Sequence, residues 1–392
     1  MNSSPAAPAT PTFASKLPAV GTTVFSRMSA LAAEHDAVNL GQGFPDFDCD
    51  PRLIARVSEA MHAGLNQYPM MAGAAPLRAA IAAKIAALYG HGYDADSEIT
   101  VTAGATQALL TVILCCVHPG DEVILIEPAF DSYLPAIALA GGVPVPVSMQ
   151  LGPEGYSVPW AAVAGAVTPR TRLIIINSPH NPTGTILRQA DIDALAGIVR
   201  GSDILILSDE VYEHMVYDGA RHESLCRHPE LAARSFVVSS FGKTYHVTGW
   251  KVGYVAAPTS LSAEFRKVHQ FNVFTVNTPM QHGLASYMAD PAPYLDLPAF
   301  YQRKRDLFRS GLKGSRFELL PADGTYFQCV RYDAISALTE SRFAEWLTSE
   351  IKVAAIPVSA FYQHAREAGI VRFCFAKQDA TLHLALERLA RI

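Results

Sequence analysis

Residues 239–254 of this chain read Ser239-Ser240-Phe241-Gly242-Lys243-Thr244-Tyr245-His246-Val247-Thr248-Gly249-Trp250-Lys251-Val252-Gly253-Tyr254. Apolar runs typical of strands, 235–238 and 252–257, lie on either side. Lys243 therefore follows a buried strand, where a lysine either extends to the surface or stays neutral enough to react. Burial and the nearby charge of Lys251 would lower its pKa, so that a carbonyl cofactor could capture the amine as a Schiff base. On the local pattern alone, two surface lysines in a glycine-rich loop remain the alternative.

Length and composition describe a large globular protein. The 392 residues suffice for two domains, and with 50% hydrophobic and 17% charged residues we expect a large buried core. The net charge of -5 comes without a basic block, which argues against nucleic acid as a partner. The six cysteines are scattered without a CxxC pair, so we predict neither a metal site nor a disulfide framework, and a reducing cytoplasm fits.

The amino terminus and the longest apolar runs bear on location. Residues 1–15 are rich in Ser, Pro and Ala and lack both a basic start and an apolar core, so we expect a flexible tail rather than a signal peptide. The apolar run 109–117 is far too short to span a bilayer. We therefore expect a soluble, cytoplasmic protein with no membrane partner.

Strand and helix patterns alternate from about residue 98 to residue 257. Such alternation predicts an α/β fold with a mostly parallel central sheet and helices on both faces. Asn181, Asp209 and Lys243 each lie just past the end of a predicted strand. Because ligands bind at the carboxyl ends of parallel strands, we expect these three side chains to converge on one crevice.

A possible anion site follows the strand predicted at 98–102. The small residues Ala105 and Thr106, with Gln107, open an apolar helix whose free amides and dipole favour phosphate. The dinucleotide fingerprint GxGxxG is absent. The pattern around Gly242-Lys243-Thr244 is not a P-loop either, because position 237 is valine where that motif needs glycine.

The pattern changes near residue 291. Beyond it we predict a helix at 300–312, a strand that starts with 324–327, a helix at 343–350, a strand at 371–375 and a closing helix at 381–390. These elements form a smaller α+β domain. We expect that domain to comprise 16–48 together with 291–392, and the large domain to span 49–290.

Four motifs carry a resemblance to a known family. They are Gly41-Gln42-Gly43-Phe44-Pro45-Asp46, Asn181-Pro182-Thr183-Gly184, Ser208-Asp209-Glu210-Val211-Tyr212 and the 239–253 stretch. Together they resemble the class I/II aminotransferases of fold type I, which depend on pyridoxal 5′-phosphate (PLP). The resemblance covers nearly the whole chain from about residue 17, and it is strongest to the methionine and kynurenine/glutamine aminotransferase branch.

This resemblance implies a catalytic set. Lys243 would hold PLP as a Schiff base and then move the proton between the substrate α-carbon and the cofactor. Asp209 would pair with the pyridine nitrogen and keep it protonated. Asn181 and Tyr212 would donate hydrogen bonds to the ring hydroxyl. The competing interpretations are a helix cap for Asp209 and a turn residue for Asn181.

The resemblance also implies how the rest of the cofactor is bound. The phosphate would lie at the helix start formed by Ala105, Thr106 and Gln107, with Ser240 and Lys251 beside it. Lys251 stands where many family members carry an arginine, so it offers a point charge rather than a fork. Phe130 would stack on the ring, unless it is simply a core residue.

A homodimer with shared active sites is part of the same expectation. Tyr68 matches a residue that in many members reaches the phosphate of the partner subunit. Phe274 is a candidate from the same interface.

Arg372, an arginine in an apolar strand, would bind the substrate α-carboxylate through its guanidinium fork, unless it belongs to a structural ion pair. Gly43 would add a backbone amide. No second arginine for a side-chain carboxylate is evident, and aromatic residues indicate an apolar pocket: Phe25, Phe44, Tyr68, Phe130 and Phe274.

We therefore expect transamination of an amino acid with an apolar or aromatic side chain, such as methionine, phenylalanine or tyrosine, to its 2-oxo acid. Overlapping specificity is expected, since apolar pockets separate such side chains by only about 1–3 kcal/mol. Two alternatives stay open. One is a PLP-dependent β-lyase of the cysteine-conjugate or cystathionine type, and the other is a non-catalytic PLP-binding regulatory protein.

Overall fold

The computed structural model describes residues 13–364 and 366–392. The tail predicted over 1–15 lies outside the described residues except for 13–15, which are exposed and have no regular structure. Among the described residues, no helix combines the length and the apolar character needed to cross a membrane.

The helices are, in chain order, α1 (Val24–Glu34), α2 (Pro51–His62), α3 (Ala75–Tyr89), α4 (Gly104–Cys116), α5 (Tyr133–Leu139), α6 (Trp160–Gly165), α7 (Gln189–Val199), α8 (Pro229–Ala232), α9 (Phe241–Thr244), α10 (Thr259–Asn272), α11 (Thr278–Tyr287), α12 (Ala292–Leu295), α13 (Leu297–Leu312), α14 (Glu340–Trp346) and α15 (Asp379–Leu389).

The strands are β1 (Val38–Asn39), β2 (Ile99–Thr102), β3 (Glu122–Glu127), β4 (Val143–Ser148), β5 (Gln150–Gly152), β6 (Gly155–Ser157), β7 (Thr171–Asn177), β8 (Leu205–Asp209), β9 (Ser235–Ser240), β10 (Gly253–Ala256), β11 (Glu318–Leu319), β12 (Phe327–Arg331), β13 (Val353–Ala354), β14 (Ile356–Pro357) and β15 (Ile370–Cys374).

A seven-stranded sheet in the order β2-β10-β9-β8-β7-β3-β4 forms the centre of the molecule. All neighbouring strands are parallel except β10, which runs antiparallel to both β2 and β9. This confirms the mostly parallel sheet expected from the sequence.

Alternate residues of the strands enter two different cores. In β3, Ile124 packs in one cluster with residues of α3 and α7, whereas Val123 and Leu125 pack in another with residues of α4, α5 and α10. A strand covered on both faces must be apolar throughout, which explains the unbroken hydrophobic runs in the sequence.

Local signals set the helix ends. The Asp50 side chain accepts a hydrogen bond from the Arg52 amide, with Pro51 as the first residue of α2. Helix α3 ends at Gly90, whose φ of 74° lies in the left-handed region that favours glycine.

A third core is built from both ends of the chain. The antiparallel sheet β11-β12-β15-β14 packs with residues of α13, α14 and α15, and Met28 of α1 belongs to the same cluster. Strand β1 pairs in parallel with β13. The amino-terminal segment thus packs with the carboxyl-terminal elements, while the domain boundaries at 48/49 and 290/291 stay a prediction.

Two predicted elements differ from the structure for an identifiable local reason. The strand predicted to start with 324–327 begins only at Phe327, because Thr325 adopts a φ of 64° that a strand cannot contain. The helix predicted at 343–350 ends at Trp346 and continues as a π-helical turn, Leu347–Ile351.

Candidate active site

A cavity of about 320 Å³ opens at the carboxyl ends of the parallel strands. Twelve of the predicted site residues line it: Phe25, Gly43, Ala105, Thr106, Phe130, Asn181, Asp209, Tyr212, Ser240, Lys243, Lys251 and Arg372. Topology accounts for this convergence, because β7, β8 and β9 are adjacent and their carboxyl ends lead to Asn181, Asp209 and Lys243.

Lys243 lies in α9, one short turn after β9. Its Nζ donates hydrogen bonds to Tyr326 Oη at 2.9 Å and to the Gly43 carbonyl at 3.2 Å. Burial lowers the pKa of Lys243 to about 8, and the positive charges of Arg372 and Lys251 act in the same direction. A useful fraction of this amine is therefore unprotonated, and nucleophilic, near neutral pH.

Asp209 ends β8 and is buried. Its Oδ2 accepts a 2.8 Å hydrogen bond from Tyr133 Oη, and its Oδ1 accepts one from the Val211 amide. Burial raises the pKa of Asp209 to about 6, while these hydrogen bonds oppose that rise. A buried carboxylate facing the cavity can pair with a cationic ring nitrogen.

Sequence reasoning did not identify Tyr133. A signal was present, since Tyr133 follows Phe130 by three residues at the start of a helix beyond a strand end. Tyr326 was missed as well. It is wholly buried, 83 residues along the chain from Lys243, and only the fold brings the two together.

Tyr212 follows β8, and its ring packs edge-on against Tyr326 and Phe327. Burial raises the pKa of Tyr212, so its hydroxyl stays protonated and can donate a hydrogen bond. The Asn181 side chain lies on the same wall. Its Oδ1 already accepts a hydrogen bond from Arg372, which leaves Nδ2 as the group that can donate into the cavity.

Arg372 is almost fully buried in β15, with 1% of its surface exposed. Its guanidinium donates to Asn181 Oδ1 at 2.6 Å and to the Gly41 carbonyl at 3.1 Å, and stacks 3.8 Å from the Phe327 ring. Its Nε has no hydrogen-bond partner among the described residues. No carboxylate among them forms an ion pair with it, which argues against the structural ion pair considered above and leaves this cation available to an acidic ligand.

The other end of the cavity is an anion cradle. Helix α4 begins at Gly104 without a side-chain cap, and its first residues, Gly104, Ala105 and Thr106, line the cavity, so the amides of its first turn are available to an anion. A Cβ at Gly104 would lie 3.4 Å from Lys251 Nζ, which places that ammonium group against the helix start. Ser240 lines the cavity beside them.

Four predicted residues do not line the cavity: Gln107, Tyr68, Phe274 and Phe44, the last of which is 46% exposed. The Gln107 side chain instead accepts a hydrogen bond from the Ala103 amide and contacts Thr111 in its own helix. Tyr68 is 81% exposed and packs against Phe274, with ring centroids 5.3 Å apart.

Gly43 lines the cavity as predicted, but the group that contacts Lys243 is its carbonyl and not its amide.

Comparison with known proteins identifies the family. Residues 35–389 match the family "Aminotransferase class I and II". The chain is 51% identical over 379 residues to methionine aminotransferase of Escherichia coli K12, covering 96% of this chain and 98% of that one. It is 33% identical over 412 residues to kynurenine–oxoglutarate transaminase 1 of Rattus norvegicus, covering 96% and 97%.

Solved structures agree. The crystal structure of YbdL from Escherichia coli, described as having a methionine aminotransferase function, superposes with a TM-score of 0.95 at 50% identity, covering 98% of this chain and 100% of that one. The structure of N-succinyldiaminopimelate aminotransferase from Mycobacterium tuberculosis gives a TM-score of 0.94 at 40% identity, covering 97% and 100%. The chain therefore belongs to the class I and II aminotransferases, and it is a PLP-dependent transaminase of fold type I.

Proposed function

We propose that the cavity binds PLP: the anion cradle would hold its phosphate, Phe130 would pack against its ring, and Asp209 would pair with its ring nitrogen. The residues fit this group. The helix start at Gly104, the Ser240 hydroxyl and the Lys251 ammonium supply donors and positive charge for a phosphate. Asp209 supplies the negative charge that a protonated ring nitrogen needs.

When bound, PLP supplies the electron sink that stabilises negative charge at the substrate α-carbon. Lys243 anchors it and moves the proton at that carbon, a role that a buried amine with a pKa of about 8 can perform near neutral pH. While the Lys243 amine is free, it donates hydrogen bonds to Tyr326 Oη and the Gly43 carbonyl, which hold it in the cavity. Asn181 Nδ2 and Tyr212 Oη would donate hydrogen bonds to the ring hydroxyl.

Arg372 binds the α-carboxylate of the amino acid. Its contacts with Asn181, Gly41 and Phe327 fix the guanidinium plane, so the bound substrate presents its α-hydrogen in one orientation. The observation that carries this proposal is that one cavity of about 320 Å³ contains both the reactive amine of Lys243 and the buried guanidinium of Arg372.

The donor is an amino acid with an apolar or aromatic side chain, and methionine is our first choice. Phe25, Phe130 and Phe327 line the cavity and support an apolar side chain. The 51% identity to a methionine aminotransferase supports methionine in particular. Phenylalanine and tyrosine are expected to overlap with it, since apolar walls discriminate weakly.

The enzyme works as a homodimer with shared active sites. Four exposed apolar side chains, Tyr68, Met70, Phe271 and Phe274, support this, and the Tyr68 and Phe274 rings are in contact. Tyr68 from each subunit would complete the phosphate site of the other. The six cysteines are all free thiols, which supports a reducing compartment such as the cytoplasm.

The test is a half-reaction without any 2-oxo acid. Purified, PLP-loaded protein is mixed with single amino acids while the absorbance band of the Lys243-bound cofactor is followed. Methionine and aromatic donors should convert that band to the amino form of the cofactor, and a 2-oxo acid should restore it. A band that persists while pyruvate and ammonia appear would mean elimination rather than transamination.

A further inference from the structure

The charged side chains lining the cavity can be assigned one by one. The cations are Lys243, Lys251 and Arg372, and the carboxylates are Asp209 and Asp131. Under the proposed function, Lys243 carries the cofactor, Lys251 faces its phosphate and Arg372 faces the substrate α-carboxylate. Asp209 pairs with the ring nitrogen. The described lining then holds no further cation for a second substrate carboxylate, while Asp131 remains without a task.

Asp131 has no hydrogen-bond or ion-pair partner among the described side chains; partial burial raises its pKa and the positive charge of Arg372 opposes that rise. It follows Phe130 in the loop between β3 and α5, on the cavity wall, and it is exposed. Helix α5 has Ser132 at its N-cap and no side-chain cap hydrogen bond, so Asp131 does not cap it. In the described ranges its carboxylate accepts no hydrogen bond from another side chain and forms no ion pair within 4 Å.

We propose that Asp131 is a specificity-determining residue whose carboxylate rejects substrates that carry a second negative charge. The inference rests on the proposed function, since it requires Arg372 to hold the α-carboxylate. Like charges on the cavity wall and on the substrate repel each other, and with Arg372 holding the α-carboxylate the described lining offers no compensating cation. The donor and the acceptor of a transaminase occupy the same cavity in turn. The preferred acceptor is therefore a 2-oxo acid with an uncharged side chain rather than a 2-oxo dicarboxylate.

The experiment compares glutamate with glutamine, which have nearly the same shape and differ in side-chain charge. Half-reaction rates are measured for wild-type holoenzyme, Asp131→Asn and Asp131→Glu. Wild type should favour glutamine by at least about tenfold in kcat/KM, Asp131→Asn should reduce that ratio by about tenfold, and Asp131→Glu should keep it. Added salt should lower the ratio in wild type and leave it unchanged in Asp131→Asn, because exposed charges are screened.

The matched control is Asp193→Asn, which removes the same charge from the exposed surface of α7 outside the cavity. It should leave the ratio at its wild-type value. Equal use of glutamate and glutamine by wild type, or an unchanged ratio in Asp131→Asn, would overturn the role of Asp131.

Binding separates this inference from the proposed function. Calorimetry with glutarate and its monoamide measures charge discrimination in the holoenzyme without turnover. If neither amino acid reacts, the proposed substrate class fails, and the inference about Asp131 is then decided by whether Asp131→Asn binds glutarate more tightly relative to the monoamide. An unchanged binding ratio overturns it.

Discussion

The hydroxyl of Tyr133 donates a 2.8 Å hydrogen bond to Oδ2 of Asp209 and so joins the first residue of α5 to the last residue of β8. Asp209 is the carboxylate that we assign to the ring nitrogen of PLP. Burial raises its pKa to about 6, and the hydrogen bond from Tyr133 is the largest effect that opposes the rise. Tyr133 therefore helps keep Asp209 ionised at neutral pH.

Replacing Tyr133 with phenylalanine should raise the pKa of Asp209 further. A protonated carboxyl cannot pair with a cationic ring nitrogen, so affinity for PLP should fall as the pH drops through about 6 in wild type and at a higher pH in Tyr133→Phe. If the pKa of Asp209 rises by one unit, we expect about twofold weaker binding at pH 7 and nearly tenfold weaker binding well below pH 6, where the carboxyl is mostly protonated in both proteins. Titration of the apoenzyme with PLP across this pH range measures both effects.

Tyr156→Phe is the control for that prediction. The Tyr156 hydroxyl is buried and lies outside the cavity lining, so its removal deletes an equivalent atom away from Asp209. If both variants bind PLP with the wild-type pH profile, Tyr133 does not tune Asp209.

The rate at which the apoenzyme captures PLP should rise with pH and level off above about 8. Only the neutral amine of Lys243 attacks the carbonyl, and burial lowers its pKa to about 8. Arg372 contributes to that lowering through its positive charge. The variant Arg372→Met should therefore move the midpoint to a higher pH and slow capture near pH 7, as stopped-flow absorbance would record.

Arg200→Met serves as the matched variant, because Arg200 is an exposed arginine paired with Glu230 on the surface. Its capture profile should overlay that of the wild type. An unchanged midpoint in Arg372→Met would show that burial alone sets the pKa of Lys243.

A buried ion pair supports the segment that carries Asp209 and Tyr212. Lys84 Nζ lies 2.6 Å from Glu213 Oε1, and the two side chains are 5% and 2% exposed. Burial alone would raise the pKa of Glu213, but Lys84 and hydroxyl donors such as Ser239 hold it below its usual range. Lys84→Met leaves that carboxylate without its counter-ion and should cost about 3–5 kcal/mol of unfolding free energy.

The double variant Lys84→Met/Glu213→Gln tests whether the unpaired charge of Glu213 causes the loss of stability. Removing both charges should destabilise the protein by clearly less than the sum of the two single variants, as urea unfolding would measure. Additive losses would mean that the two side chains act independently.

Tyr68 can be tested by mixing two inactive variants. If Tyr68 acts across the dimer, Lys243→Ala and Tyr68→Ala subunits form heterodimers in which one of the two sites has both residues. Random mixing in equal amounts should then restore about a quarter of the wild-type sites. Mixing Lys243→Ala with Asp209→Ala should restore none, since both residues belong to one chain's cavity.

The sequence predicts those site residues that follow strand ends. Asn181, Asp209 and Lys243 could be placed together because parallel strands end at one edge, and Arg372 could be recognised as a polar residue in an apolar strand. The family resemblance supplied their roles, which periodicity could not.

Side-chain hydrogen bonds between segments that are distant in sequence could not be predicted from the sequence. Tyr326 meets Lys243 only because the small antiparallel sheet packs beside the cavity, and no local pattern encodes that packing. Gln107 shows the opposite case. It lies in the predicted helix start, but its side chain bonds to the Ala103 amide, a local competition that a motif does not reveal.

The reversed strand β10 has a consequence for how the enzyme keeps its phosphate site. Gly253 is paired with Thr102 on one side and with Ser240 on the other, and a Cβ there would lie 2.7 Å from the Ser239 carbonyl and 3.1 Å from the carbonyl carbon of Gly104. The parts of the cradle are thus spaced by strand pairing rather than by the conformations of loops. The apoenzyme should therefore keep the phosphate site in the conformation that binds the cofactor. Loops around the site can diverge in evolution without altering how the phosphate is bound.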